Sequence, residues 1–142
     1  MAMEIAEIPA AAERLLDRRA STAAIADRIR AAQPRMVVVC GRGSSGHVGA
    51  YLRYLFEVQV GLPVSAAAPS IATAYRRPMD LREALFVVIS QSGRSPDLVV
   101  ATNAARTAGA LTLAIVNDTQ SPVAAASDLI LPIHAGPERA VA

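Results

Sequence analysis

The stretch Leu85-Phe86-Val87-Val88-Ile89-Ser90-Gln91-Ser92-Gly93-Arg94-Ser95-Pro96-Asp97 carries a strand, a turn and the start of a helix. Its first five residues are apolar without a break, as a strand buried on both faces requires. Ser90 to Arg94 are small or polar and include a glycine, which marks a loop. Ser95 stands where a helix cap belongs, and Pro96 fits the first helical turn, where its missing N–H costs nothing. A doubly buried strand leading through a short loop into a helix is the repeating unit of a parallel α/β sheet.

The same pattern repeats on both sides. Upstream, Met36 to Cys40 is a second unbroken apolar run. A glycine-rich turn, Gly41 to Gly46, follows it and leads into a helix over about 45–60. Gly61 ends that helix, and a short strand is expected over Val64 to Ala67. Residues 69–82 suggest a short helix near Ile71 to Tyr75 and a turn around Pro78. Downstream, the helix opened by Pro96 runs to Ala108 and stops at Gly109. A strand over Leu111 to Val116, a helix opened by Ser121-Pro122 and a last strand over Leu129 to Ile133 come next. Gly136-Pro137 then turns toward a helix beginning near Glu138. The first 33 residues read as helix, with Ile5, Ile8, Leu15 and Leu16 at three- and four-residue spacing. Pro9 is expected to kink or restart that segment. Ser21 is expected to cap a second helix that carries Ile25 and Ile29.

The expected fold is therefore α/β: a doubly wound three-layer sandwich around a five-stranded parallel sheet of order 2-1-3-4-5. Residues 1–33 form a helical lead-in and residues 34–142 form the domain proper. Four or five crossover helices would cover both sheet faces, so the lead-in helices are expected to have little core to join. They are expected instead to mediate self-association.

Composition narrows the function. Hydrophobic residues make up 53% and charged residues 18%, which excludes a disordered chain. No run is long and apolar enough for a membrane helix, and the first residues show no secretory signal. The single cysteine, Cys40, excludes an internal disulfide and a cysteine-based zinc site, and fits a cytoplasmic protein. No His, Asp and Glu cluster has metal-ligand spacing, so no metal or other cofactor is expected. All 14 basic residues are arginine, scattered along the chain, and aromatics are 4%. That pattern does not suggest nucleic acid, despite a net charge of +2. The absence of lysine removes a Schiff base and a P-loop lysine from the chain's own chemistry.

Open α/β sheets bind ligands beyond the carboxyl ends of the strands, where the strand order reverses. For the order 2-1-3-4-5, that point lies between the first and third strands. The loops leaving those strands are Gly41-Arg42-Gly43-Ser44-Ser45-Gly46 and Ser90 to Ser95, the most glycine- and serine-rich in the chain. Glycine lets backbone N–H groups approach an anion, serine adds hydroxyl donors, and each loop enters a helix N-terminus. Hydrogen bonds to a charged group are worth about 1.5–3 kcal/mol each, so a few would hold a phosphate without lysine. The first loop also matches the glycine spacing of a dinucleotide site. No acidic residue closes the second strand near 66–68 to hold a ribose, which argues against that reading.

Ser90 to Asp97, the segment Gly41 to Ser45, and Ala135-Gly136-Pro137-Glu138 with Ala140-Val141-Ala142 resemble three signatures of the sugar isomerase (SIS) domain family, in the family's order. Within it, the closest resemblance is to the first SIS domain of the amino-sugar branch, the glucosamine-fructose-6-phosphate aminotransferases and the glucosamine-6-phosphate deaminase-like (AgaS-like) phosphosugar isomerases. The resemblance implies a hexose 6-phosphate or amino-sugar phosphate ligand, such as fructose 6-phosphate or glucosamine 6-phosphate. It implies that Ser45, Ser90, Gln91, Ser92 and Ser95 hold the sugar phosphate, with Gly43 and Ser44 beside them. Val141 would contact the sugar through its backbone. The implied reaction is aldose–ketose isomerisation through an enediol- or enolamine-like intermediate. Glu138 is the carboxylate of the third signature; it would move the proton, or else complement a helix dipole as a first-turn acid. Members of this branch carry a second SIS domain and a C-terminal lysine, so this chain is expected to bind without turning over. Ala2 stands where a glutaminase domain would need cysteine, so glutamine-dependent amination is not expected. A non-catalytic phosphosugar sensor, and a single-domain isomerase completed by oligomerisation, are the alternatives. Either a homo-oligomer or a second SIS domain is the expected partner.

Other polar residues have simpler readings. Cys40 is expected in the core, and His47 on a helix surface. His134 is expected to serve structure at the end of the last strand, and Arg42 and Arg94 to be rim charges that steer an anion.

Overall fold

A computed structural model describes residues 2–137. The elements are α1 (Ala2–Asp17), α2 (Ala20–Ala32), β1 (Met36–Gly41), α3 (Ser44–Leu55), β2 (Val64–Ala66), α4 (Pro69–Thr73), β3 (Ala84–Ser90), α5 (Pro96–Thr107), β4 (Leu111–Val116), α6 (Pro122–Ala126) and β5 (Leu129–Pro132). A wider π-type turn over Phe56–Val60 continues α3 and ends at Gly61, whose φ of 74° suits glycine. The five strands form one parallel sheet in the order β2-β1-β3-β4-β5, as expected.

Strand alternation builds two cores. On one face Val38, Cys40, Phe86, Val88, Ala114 and Val116 pack with Leu98, Ala101 and Ala105 of α5 and Val123 and Ala124 of α6. On the other, Val37, Val39, Leu85, Val87, Ile89 and Leu113 meet Leu52 of α3 and Phe56. All seven residues of β3 are buried, which explains why its sequence shows no polar alternation. Burying a side chain such as Leu85 or Phe86 contributes about 1.5–3 kcal/mol.

The lead-in departs from expectation in two ways. Ile25 and Ile29 of α2 pack against the second core, so this helix is part of the sandwich. The reason is how the helices divide between the faces: α5 and α6 lie on the Phe86 side, and on the Leu85 side α3 leaves sheet that α2 covers. Pro9 lies inside α1 without ending it. α2 starts at Ala20 with Arg19 in the cap position and no side-chain cap bond, so Ser21 falls inside the helix and not at its cap. The break falls earlier because the N–H groups of Arg18 and Arg19 close the last turn of α1 on Leu15 and Leu16. Thr22 Oγ1 then donates to the Arg19 carbonyl at 2.6 Å. Ile5, Ile8 and Leu16 of α1 are exposed.

A candidate phosphosugar crevice

β1 and β3 are hydrogen-bonded neighbours, with Gly41 in register with Ile89. The loops at 41–43 and 91–95 therefore leave the sheet side by side. The chain passes from one toward β2 and from the other toward β4. Their helices go to opposite faces, α3 to the Leu85 side and α5 to the Phe86 side. A crevice between neighbouring strand ends follows from that topology.

The first loop is shaped by close packing. A Cβ on Gly41 would lie 3.0 Å from the Ser45 carbonyl carbon and oxygen, so the strand end and the first turn of α3 nearly touch. One on Gly49 would lie 2.7 Å from Val39 Cγ1, which holds α3 down on β1. Gly43 precedes α3 with a φ of 53°. Ser44 is exposed and Ser45 half-buried. Neither α3 nor α5 has a side-chain cap bond, although Ser95 occupies the cap position of α5. By contrast, α6 is capped by Ser121 Oγ, which accepts from the Ala124 N–H at 3.3 Å. The two helices that open into the crevice thus keep N-terminal donors that their own caps do not use.

The second loop is braced from behind. Ser90 is 5% exposed, and its Oγ accepts from the Gly93 N–H at 3.1 Å. Gly93 is buried, and its carbonyl accepts from the Val123 N–H at 3.0 Å. The Gln91 carbonyl accepts from the Asn117 N–H at 3.0 Å. Ser92 is exposed, with its Oγ 3.4 Å from the Arg94 N–H it accepts from; Gln91 and Ser95 are half-buried. Gly43, Ser44, Ser45, Ser90, Gln91, Ser92 and Ser95 are thus gathered at the ends of two adjacent strands. Glu138 and Val141 lie outside the described residues.

Several contributors were not evident from sequence. Asn117 grips the segment leading to Glu138: its Nδ2 donates to the Gly136 carbonyl at 2.6 Å, and its Oδ1 accepts from the Ala135 N–H at 2.9 Å. Arg14 of α1 donates to the His134 and Ala135 carbonyls at 3.2 and 3.3 Å. Arg42 and Arg94 are not lone rim charges. Arg42 pairs with Asp97 at 2.9 Å and Arg94 with Asp118 at 3.0 Å, linking each loop to the next. A hydrogen bond from the Gln120 backbone and the Arg94 guanidinium hold the Asp118 carboxyl below its usual range. Burial, helped by the charge of Asp97, pushes the Cys40 thiol up to about 12, which leaves it an inert core residue. Asn117-Asp118 follows β4 just as Ser90-Gln91 ends β3, and that repetition was the available signal. His47 is exposed on α3, and His134 lies beyond β5 with a φ of 57°.

The larger hollow lies elsewhere. About 640 Å³ opens between α4 and α5, lined by Ile71, Ala72, Met79, Phe86, Ala101 and Ala104 among others. Its walls are mostly apolar, with Arg76, Arg77, Asn103 and Thr107 also in the lining, and they lack the glycine and serine donors that the two loops offer a phosphate.

The SIS domain model matches residues 31–142, and the chain belongs to the SIS-domain family. It is 40% identical to a glutamine–fructose-6-phosphate aminotransferase of Symbiobacterium thermophilum over 82% of this chain and 19% of that protein. It is 37% identical to the Streptomyces coelicolor enzyme of the same name over 100% of this chain and 24% of that protein. This chain therefore spans about a quarter or less of these relatives. Among solved structures, a Silicibacter pomeroyi DSS-3 protein assigned to the phosphosugar isomerases superposes with a TM-score of 0.92 at 46% identity. That match covers 96% of this chain and 42% of the other.

Proposed function

We propose that this chain binds a hexose 6-phosphate, with fructose 6-phosphate and glucosamine 6-phosphate the leading candidates, in the crevice between the β1 and β3 loops. The observation that carries the reading is the pairing of two serine- and glycine-rich loops on adjacent parallel strands, each entering a helix without a side-chain cap. The phosphate would take N–H groups from the starts of α3 and α5 and hydroxyls from Ser45, Ser92 and Ser95. Ser90 would keep the second loop in shape, with Gly43, Ser44 and Gln91 completing the wall. Val141 would meet the sugar through its backbone. Names shared by the relatives support a sugar phosphate as ligand.

The reaction of the assembled protein would be amino-sugar isomerisation or deamination. A base removes the C1 proton of the open ketose, or of the C2 imine it forms with ammonia by losing water. The electrons shift into an enediol or, from the imine, an enolamine, and the proton returns at C2. Deamination runs the imine route backwards, ending in hydrolysis of the imine and release of ammonia. Glu138 is the proposed base. The chain contains no lysine, and the completed site would draw further groups from a second SIS domain or another copy. The protein would work in the cytoplasm, in keeping with its single buried cysteine. Among the described residues, no helix is long and apolar enough to cross a membrane.

Titration calorimetry of the 142-residue chain tests the reading. At least one of the two sugar phosphates should bind, NAD should not, and isomerase turnover should stay far below the ordinary enzymatic range of about 1–10³ per second. Binding of NAD with no heat from either sugar phosphate would overturn the proposal. Turnover at an ordinary rate would show that the catalytic groups lie within this chain.

A further inference from the structure

Asp97 is the second residue of α5, two positions after Ser95, in the turn where the phosphate would meet the helix. A carboxylate in a first turn complements the helix dipole, but it occupies the field that a bound phosphate would use. Arg42 reaches it from the other loop, with Nη1 2.9 Å from Asp97 Oδ2. The Asp97 side chain is 25% exposed and that of Arg42 68%, so the carboxylate sits in the crevice wall with the guanidinium over its outer side. An ion pair with so exposed a partner contributes little to folding. Its consequence falls on whatever charge enters beside it.

We infer that Arg42 is a positioning residue for the anion: it cancels the charge of Asp97 so that the start of α5 accepts a phosphate dianion. The inference rests on the phosphosugar reading of the crevice. Arg42 then acts through Asp97 and not as a ligand of the phosphate. Without it, an uncompensated carboxylate would repel the ligand in a partly desolvated wall, where like charges weaken binding most.

The test is a double-mutant cycle with fructose 6-phosphate as the probe, read by titration calorimetry on the full chain. Arg42→Ala should weaken binding about tenfold. Asp97→Asn alone should bind at least as tightly as the unsubstituted chain. The double variant should return to within about twofold of it, and Arg42→Lys should stay close to it. If Arg42→Ala costs as much affinity in a chain already carrying Asp97→Asn as it does in the unsubstituted chain, Arg42 is a direct ligand and the inference is overturned. Unchanged binding by Arg42→Ala would overturn it as well. If Arg42→Ala does not fold, Asp97→Asn decides: about a tenfold loss there contradicts the inference. Should the unsubstituted chain bind no sugar phosphate, the phosphosugar reading fails and this inference falls with it. Binding that ignores the Arg42 substitutions removes this inference alone.

Discussion

Gly93 sits where the serine loop has least room. Its φ is 64°, and a Cβ there would come 2.1 Å from Ser121 Oγ, the hydroxyl that caps α6. Gly93→Ala therefore meets two penalties, a left-handed backbone and a displaced cap. We expect it to destabilise the fold by at least about 2 kcal/mol in urea unfolding. A cost under about 0.5 kcal/mol would show that the loop and α6 give way more easily than their packing implies. Ser90, Ser92 and Gly93 can be singled out from sequence because their types and spacing form a local pattern. Asn117 has only its place after β4 as a signal, and the Arg42–Asp97 pairing has none. Their partners lie 19 and 55 residues away, and only the sheet order brings them together. Arg42 reads as a free rim charge in the sequence for the same reason.

At the scale of elements, the lead-in divides into a helix whose isoleucines pack on the sheet and one whose isoleucines stay in water, with Arg14 bonded to the chain beyond β5. The apolar spacing of 1–33 offers no way to separate them, since both helices carry isoleucines at helical intervals. What separates them is the area that α3 leaves bare on the Leu85 face, while α5 and α6 cover the other, and no local pattern reports that division. α2 fills that area through Ile25 and Ile29, while α1 leaves Ile5, Ile8 and Leu16 more than 60% exposed. Apolar side chains spaced along one helix and left in water favour association. Deleting residues 1–17 should keep the melting temperature within a few degrees and abolish self-association in light scattering. Deleting 1–33 should also lower the melting temperature, because the contacts of Ile25 and Ile29 are lost. An assembly that survives removal of 1–17 would move the interface to another surface, such as the exposed Tyr51 and Tyr54 of α3.

At the scale of the whole molecule, two buried strands and the loops that leave them determine where a ligand can go. The unbroken apolar runs of β1 and β3 force these strands into the middle of the sheet, covered on both faces. The chain then has to cross to both sides of the pair, and the reversal creates the crevice. This much is readable from sequence, because continuous burial and glycine punctuation are local signals with one structural meaning. The 640 Å³ hollow between α4 and α5 is not readable there, since it arises from how helices of unequal length sit on a finished sheet. It is also the clearest competitor to the two loops as a binding place. Backbone amide shifts in a nitrogen–proton correlation spectrum, recorded while fructose 6-phosphate is added, distinguish them directly. The largest changes should fall on the amides of Ser44, Ser45, Gln91, Ser92 and Ser95, with Ile71, Ala72 and Ala104 unmoved; changes centred on those last three, with the serine loops silent, would contradict the account.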